Sequence, residues 1–417
     1  MQLTTTDQAM LDGAHGGATQ LAMRLLVQLA QILDAPRLID VTCAHIDSCL
    51  YHGPVGVDFA ERLVQLGGQV KIPTTLNVSS LDLLHPTYYR GPVETAQEAR
   101  RLMDAYVALG CAPTWTCAPY QLPQRPALGE QIAWAESNAI VFANSVLGAR
   151  TNRYGDFIDI CAALTGRVPD AGLHQTAARR GQILFRPVGI SDRLLQEDVF
   201  YALLGHIVGA QTGNFIPVIE GLPSATTEDQ LKALGAAAAS SGAVALFHAV
   251  GITPEAPTVA AACQGQPPLR TVEVTPTMIR AERDALTSSQ ERSLAGVSLG
   301  TPHFSIHEFA QVLALLEEVT LHPAVDFWIS TGRDVLQEVK ARGWAARLRA
   351  AGVKIVVDTC TYITPLLRDH PGVMMTNSAK WAHYAPGNVG AKVALGSLYE
   401  CIHSAVIGEV WHDPTLW

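Results

Sequence analysis

At 417 residues the chain is long enough for two or three subdomains with cores of their own. Hydrophobic residues make up 48% and charged residues 16%, which excludes extended disorder and fits a packed α/β protein. The net charge is −9 with no run of Lys or Arg, so the electrostatic footprint of a nucleic-acid binder is missing.

The first seven residues, Met1 to Asp7, lack the basic and apolar regions of a signal peptide. No stretch reaches the roughly 18 apolar residues of a membrane span. A cytoplasmic protein is expected, in which the eight cysteines are thiols, ligands or buried hydrophobes and form no disulfides. None lies in a Cys-x-x-Cys pair, which removes the zinc-ribbon pattern.

In chain order, residues 17 to 33 carry apolar side chains at helical spacing, followed by strand-like Leu38–Val41 and the loop Thr42–Asp47. A helix over 57–66 stops at Gly67-Gly68, and strand-like Val70-Lys71-Ile72 runs into Pro73-Thr74-Thr75-Leu76-Asn77. Residues 93–109 predict another helix, after which Thr114-Trp115-Thr116 leads to Cys117-Ala118-Pro119-Tyr120. Ala139 to Ala143 reads as a strand entering a loop rich in amides and guanidinium groups, Asn144 to Arg153. Such a mix suits a carboxylate or phosphate, which Arg can hold bidentately.

Ser191–Gly213 and Gln230–Ser241 read as helices, and Ala243–Phe247 as a strand ending at His248. Four prolines between Ile252 and Leu269 place a subdomain boundary near 252–272. Ser305-Ile306-His307-Glu308 is a capping box opening a helix to about Val319, and Asp326–Ile329 is a further strand. Three short runs then end in polar groups: Val353–Val357 at Asp358-Thr359-Cys360, Val373–Met375 at Thr376-Asn377-Ser378-Ala379-Lys380, and Ala391–Leu395 at Gly396-Ser397 ahead of Glu400-Cys401. In open α/β sheets ligands bind beyond such strand ends, so these three can share a pocket. Strand-helix alternation predicts mainly parallel sheets.

Cys117, Cys360 and Cys401 occupy strand-end positions, where three thiolates from separate loops can hold an iron–sulfur cluster with one open iron. On spacing alone they are better read as buried small hydrophobes, because they are not clustered as ferredoxin-type ligands are. Cys43 and Cys49 around His45 and Asp47 are read as local packing, and His248, His303 and His383 as isolated histidines. Walker, dinucleotide-binding, nucleophile-elbow and zincin motifs are all missing.

Together, His45-Ile46-Asp47, Pro73-Thr74-Thr75-Leu76-Asn77, Cys117-Ala118-Pro119-Tyr120, Ser137-Asn138, Phe142-Ala143-Asn144-Ser145, Pro302-His303, Asp358-Thr359-Cys360, Thr376–Lys380 and Glu400-Cys401 resemble the aconitase X family along the whole chain. The resemblance implies an aconitase-like α/β fold: multiple three-layer α/β/α subdomains with mainly parallel sheets around a central cleft. It further implies an iron–sulfur cluster, [2Fe-2S] or [4Fe-4S], or a mononuclear iron, held by Cys117, Cys360 and Cys401. Catalytic roles fall to Ser145 and Lys380, and substrate contacts to Thr74, Asn77, Asn144, Arg150, Thr376, Asn377 and Ser378. Residues 1–417 would form the large catalytic module, with the family's swivelling domain on a small-subunit partner that carries the catalytic base. The implied reaction is dehydration of cis-3-hydroxy-L-proline to Δ1-pyrroline-2-carboxylate. Thr301 in Gly300-Thr301-Pro302-His303 departs from the pattern of the branch that dehydrates mevalonate 5-phosphate, which is the alternative. A non-catalytic ligand-binding or partner subunit is the other reading.

Overall fold

The structure is a computed structural model that describes residues 1–367 and 372–417. The chain divides into two units, residues 1–81 with 91–180, and residues 82–90 with 181–417.

The first unit contains β1 (Leu38–Asp40), β2 (Ala44–Ile46), β3 (Thr74–Leu76), β4 (Ala133–Trp134) and β5 (Arg167–Pro169). β2, β3 and β4 form a parallel sheet in the order β3-β2-β4, while β1 and β5 pair antiparallel. The helix Gly17–Ile32 buries Ala18, Ala22, Met23, Leu26 and Ala30, one stripe at the spacing read from the sequence. The helix Val93–Ala108 likewise buries Leu102, Met103 and Tyr106.

Two strand expectations fail here for local reasons. Val70-Lys71-Ile72 is not a strand: Val70 N and Lys71 N donate to Leu109 O and Ala163 O, both 2.8 Å away in helix-end segments, and pairing begins at Thr74. Ala139–Ala143 is not a strand either. Glu136 caps the helix Ser137–Phe142 by accepting from Ala139 N at 2.7 Å, and a π-helical turn over Ala143–Leu147 follows. All of Asn138 to Phe142 is buried, and a run buried on every side has no period to distinguish helix from strand.

The second unit holds two parallel sheets. β6 (Ile183–Pro187), β7 (Pro217–Ile219), β8 (His248–Ala249) and β9 (Arg270–Val274) are ordered β8-β7-β6-β9. β10 (Leu294–Phe304), β11 (Asp326–Thr331), β12 (Val353–Val356), β13 (Val373–Thr376) and β14 (Val393–Leu395) are ordered β12-β11-β10-β13-β14. Central β10 is buried at every position, as expected of a parallel strand covered on both faces. No strand forms over 243–247, where pairing begins only at His248–Ala249, and the helix expected over 191–213 breaks at Glu197 into Asp192–Gln196 and Asp198–Thr212. Residues 252–272 hold the short helix Val259–Ala262 and the start of β9. The capping box at Ser305 and Glu308 is present, opening the helix Ile306–Leu315.

The helices Asp198–Thr212 and Glu228–Ser241 cross closely because Gly205 and Gly209 face the second helix. A Cβ at Gly205 would stand 2.1 Å from Leu234 O, a backbone atom that cannot swing away. Gly205→Ala gains about 1 kcal/mol of helix propensity but overpacks the crossing at a cost of about 1–3 kcal/mol. The expected net result is a lower urea midpoint, and an unchanged or higher midpoint would mean that the crossing relaxes freely. No described helix is long and apolar enough to cross a membrane.

Candidate active site

Each unit offers a place where strand order reverses, the location at which open α/β sheets bind ligands. In the first unit the chain runs from β2 to β3 on one side and later to β4 on the other. Beyond the strand ends stand Asp47, Asn77 and Glu136. Asn77 Nδ2 donates to Asp47 Oδ1. Asp159 fixes the neighbouring turn by accepting from Asp47 N at 2.8 Å, Ser48 N at 3.0 Å, Ser48 Oγ at 2.9 Å and Ile160 N at 2.7 Å.

Burial pushes the Asp47 carboxyl up to about 8, the charges of Glu136, Asp156 and Asp159 add to this, and the Asn77 bond opposes it. Burial also raises Asp159, to about 6, against its hydrogen bonds from Ser48 and Ile160. His45 on β2 is fully buried, with Nδ1 2.8 Å from Thr75 Oγ1, and burial lowers it to about 3, so the ring is neutral. Cys117 is buried, and its carbonyl accepts from Asn138 Nδ2 at 2.8 Å. The same amide accepts from Tyr120 Oη at 2.6 Å, which pins the loop carrying the thiol.

Other expected contact residues of this unit are engaged in shaping loops. Thr74 Oγ1 donates to Ile72 O at 2.8 Å, and Arg150 Nη1 to His174 O at 3.0 Å. Asn144 Nδ2 donates to Thr151 O at 2.9 Å, and its Oδ1 accepts from Thr151 N at 3.1 Å and Arg179 Nη1 at 3.0 Å. Arg179, fully buried, was not legible as a site residue because nothing in its surroundings at 176–180 marks it. Ser145 is buried within the π-helical turn.

In the second unit the order reverses between β10 and β13. Ser378 Oγ bridges their ends by donating to Thr301 O, and it also caps the helix Ala379–Val389 by accepting from Trp381 N at 3.1 Å. Thr376 Oγ1 accepts from Ser378 N at 3.2 Å. Asn377 and Ser378 line a cavity of about 20 Å³ with Thr301, Asp198, Lys232 and Glu308, space for about one water. Thr301 Oγ1 faces burial without a hydrogen-bond partner among the described residues. Lys380 is buried in the first turn of the helix that Ser378 caps, close enough for its charge to act on His303.

His303 is completely buried, and its Nε2 donates to Thr359 O at 3.3 Å, leaving Nδ1 as the acceptor nitrogen. Burial lowers this histidine to about 4, the Thr359 bond opposes that, and Lys232 and Lys380 reinforce it. The imidazole is therefore neutral, the protonation state that metal ligation requires. Asp358, at φ +64°, turns the chain out of β12 and is clamped by Arg333 through bonds of 2.6 and 2.7 Å. Cys360 follows, buried, with its carbonyl accepting from Ile363 N and Thr364 N at 3.1 Å. Cys401 lies in the helix Leu398–Ile407 and packs into the apolar core with Val373, Met375 and Ala394.

Lys232 is 2% exposed, with Asp229 at 2.9 Å, Glu308 in contact, and His303 O accepting from its Nζ at 3.3 Å. Burial works against its charge, and Asp229 and Glu308 more than restore it. In the sequence Lys232 is one polar position in an Ala-rich helix, and only its neighbours in space reveal it.

Residues 1–177 match the Aconitase X first domain, 181–284 the second domain and 294–407 the third domain. The chain is 45% identical over 411 residues to a Pseudomonas aeruginosa protein named cis-3-hydroxy-L-proline dehydratase, covering 98% of this chain and 70% of that one. It is 40% identical to the Hypocrea jecorina protein of the same name, covering 98% and 69%. The phosphomevalonate dehydratase large subunit of Methanothermobacter thermautotrophicus is 35% identical, with 93% and 94% covered. The crystal structure of Thermococcus kodakaraensis aconitase X (holo-form) superposes with a TM-score of 0.87 at 31% identity, covering 97% of this chain and 100% of that one. The α/β architecture of mainly parallel sheets expected from the strand-helix alternation is thus found, and the chain belongs to the aconitase X family.

Proposed function

We propose that this chain is the large subunit of a hydro-lyase that dehydrates cis-3-hydroxy-L-proline to Δ1-pyrroline-2-carboxylate. The observation that carries this reading is the order of identities. Relatives named for the hydroxyproline reaction stand at 45% and 40%, and the phosphomevalonate dehydratase subunit at 35%. The near end-to-end match to proteins named as large subunits supports a smaller partner subunit. A cytoplasmic setting agrees with eight free cysteines.

The donor chemistry suits an iron centre. In the second unit the neutral His303, whose Nε2 donates to the carbonyl of Thr359, stands beside the buried Cys360, and Cys117 is the thiol that the first unit is proposed to supply. His303 was not among the expected ligands, and Cys401 offers a further thiol from the apolar core. An iron centre or iron–sulfur cluster with an open position would supply Lewis acidity toward a hydroxyl oxygen.

The protein groups bind and position the substrate. Asn377, Ser378 and Thr376 present amide and hydroxyl groups to the substrate carboxylate at the strand reversal, with Asn77, Thr74, Asn144 and Arg150 shaping the loops of the first unit. Lys380 and Ser145 are the groups proposed for proton movement at C2. The test offers cis-3-hydroxy-L-proline and mevalonate 5-phosphate to the assembled, iron-loaded enzyme. Expected is pyrroline-2-carboxylate from the first alone. Turnover of only the second, or protein without iron and without turnover, would replace this reading with one of the two alternatives.

A further inference from the structure

Asp47 has no part in the assignments above, yet its position is unusual. It stands at the end of β2, the middle strand of its sheet, where strand order reverses. Glu136, Asp156 and Asp159 all act on its carboxyl, and among the described residues no Lys or Arg pairs with it. Gathering like charges costs stability unless one of them keeps a proton. Asp159 has a structural use for its charge, accepting from four donors. Asp47 has only the Asn77 amide.

A second observation points outward to a ligand. Asn77 is 2% exposed, and while its Nδ2 serves Asp47, its Oδ1 has no partner among the described residues. A buried carbonyl oxygen left so costs about 1–3 kcal/mol, which a donor on a bound molecule would recover. Cys49 is near but occupied, its thiol directed at Ile46 O and Asn77 O.

Resting on the dehydratase reading, we propose that Asp47 is a catalytic acid of the reaction and Asn77 its positioning residue. The C3–O bond breaks with its electron pair on oxygen, which takes the Asp47 proton and leaves as water. The C2–H electron pair becomes the C2=C3 bond, and the C2 proton passes to the catalytic base of the assembled enzyme. The enamine product tautomerises to the imine, and Asp47 regains a proton from solvent. A carboxyl kept protonated through neutral pH by burial and by Glu136, Asp156 and Asp159 is equipped for this step.

The test uses the assembled, iron-loaded enzyme. Asp47→Asn keeps the shape but has no proton to give, so kcat for cis-3-hydroxy-L-proline should fall about 10²- to 10⁴-fold with KM and iron content little changed. With cis-3-fluoro-L-proline, whose fluoride leaves without a proton, wild type and variant should turn over within a few-fold. Wild-type kcat/KM should fall as pH rises through the Asp47 range near 8, because the protonated form is active. Asn77→Ala, which removes the bond favouring the carboxylate, should move that limb upward. If Asp47→Asn fails to fold, Asp47→Glu must retain activity with a shifted limb. Equal losses on both substrates, or an alkaline limb unmoved in these variants, would overturn the assignment to Asp47 while leaving the dehydratase reading intact. A wild-type enzyme inactive on both prolines would sink that reading and the inference with it.

Discussion

Cys360→Ser purified with the proposed partner subunit is expected to contain only trace iron and to lose turnover by two orders of magnitude or more. The thiol follows Asp358, whose left-handed backbone and the two hydrogen bonds it accepts from Arg333 aim the turn. It is buried, and the backbone of the turn closes behind it through Ile363 and Thr364. A hydroxyl is a poor substitute because soft thiolates suit iron–sulfur chemistry. Cys117→Ser should behave alike, each checked by iron analysis and the visible spectrum. Cys401→Ser is the contrast. Its thiol packs in an apolar core, so full iron with reduced stability assigns it to packing, and loss of iron assigns it to the centre. Unchanged iron and activity in Cys360→Ser would remove that residue from the ligand set.

Lys232→Met should lower stability by about 3–5 kcal/mol, the cost of breaking a buried pair and stranding its partners. Asp229 and Glu308 would face each other with no cation, and the carbonyl of His303 would lose its Nζ donor. Glu308 is further committed, accepting from Ser305 N at 2.7 Å in the capping box. A urea titration of wild type and variant measures the loss. Adding Glu308→Leu to Lys232→Met should recover part of it, because an apolar pair tolerates burial better than a lone carboxylate. A loss under about 1 kcal/mol would show the network to be incidental.

Much of the scaffold was legible wherever one periodicity dominated. The helices Gly17–Ile32 and Val93–Ala108, the capping box at Ser305 and the strands leading to Asp358, Thr376 and Gly396 lie where apolar spacing placed them. Ala139–Phe142 misled because it is buried all round, and 70–72 because its backbone bonds to helix ends. In the site, Thr376 to Lys380 was visible as a strand end, since polar groups after an apolar run carry their own signal. His303, Asp47 and Lys232 were not. A buried charge or ligand owes much of its character to neighbours far away in sequence, as the 76-residue separation of Lys232 and Glu308 illustrates.

The strap formed by residues 82–90 belongs to the second unit although it precedes half of the first. Its Asp82 Oδ2 accepts from Val357 N, and its Leu83 N donates to Asp358 Oδ2, each at 3.1 Å and each spanning 275 positions. During synthesis the strap therefore emerges long before the strand end it secures, and it stays unpaired until the C-terminal sheet has been made. Contacts of such separation form late. The turn presenting Cys360 is thus among the last pieces of the protein to acquire its shape, and a fragment starting at Gly181 would lack the strap altogether.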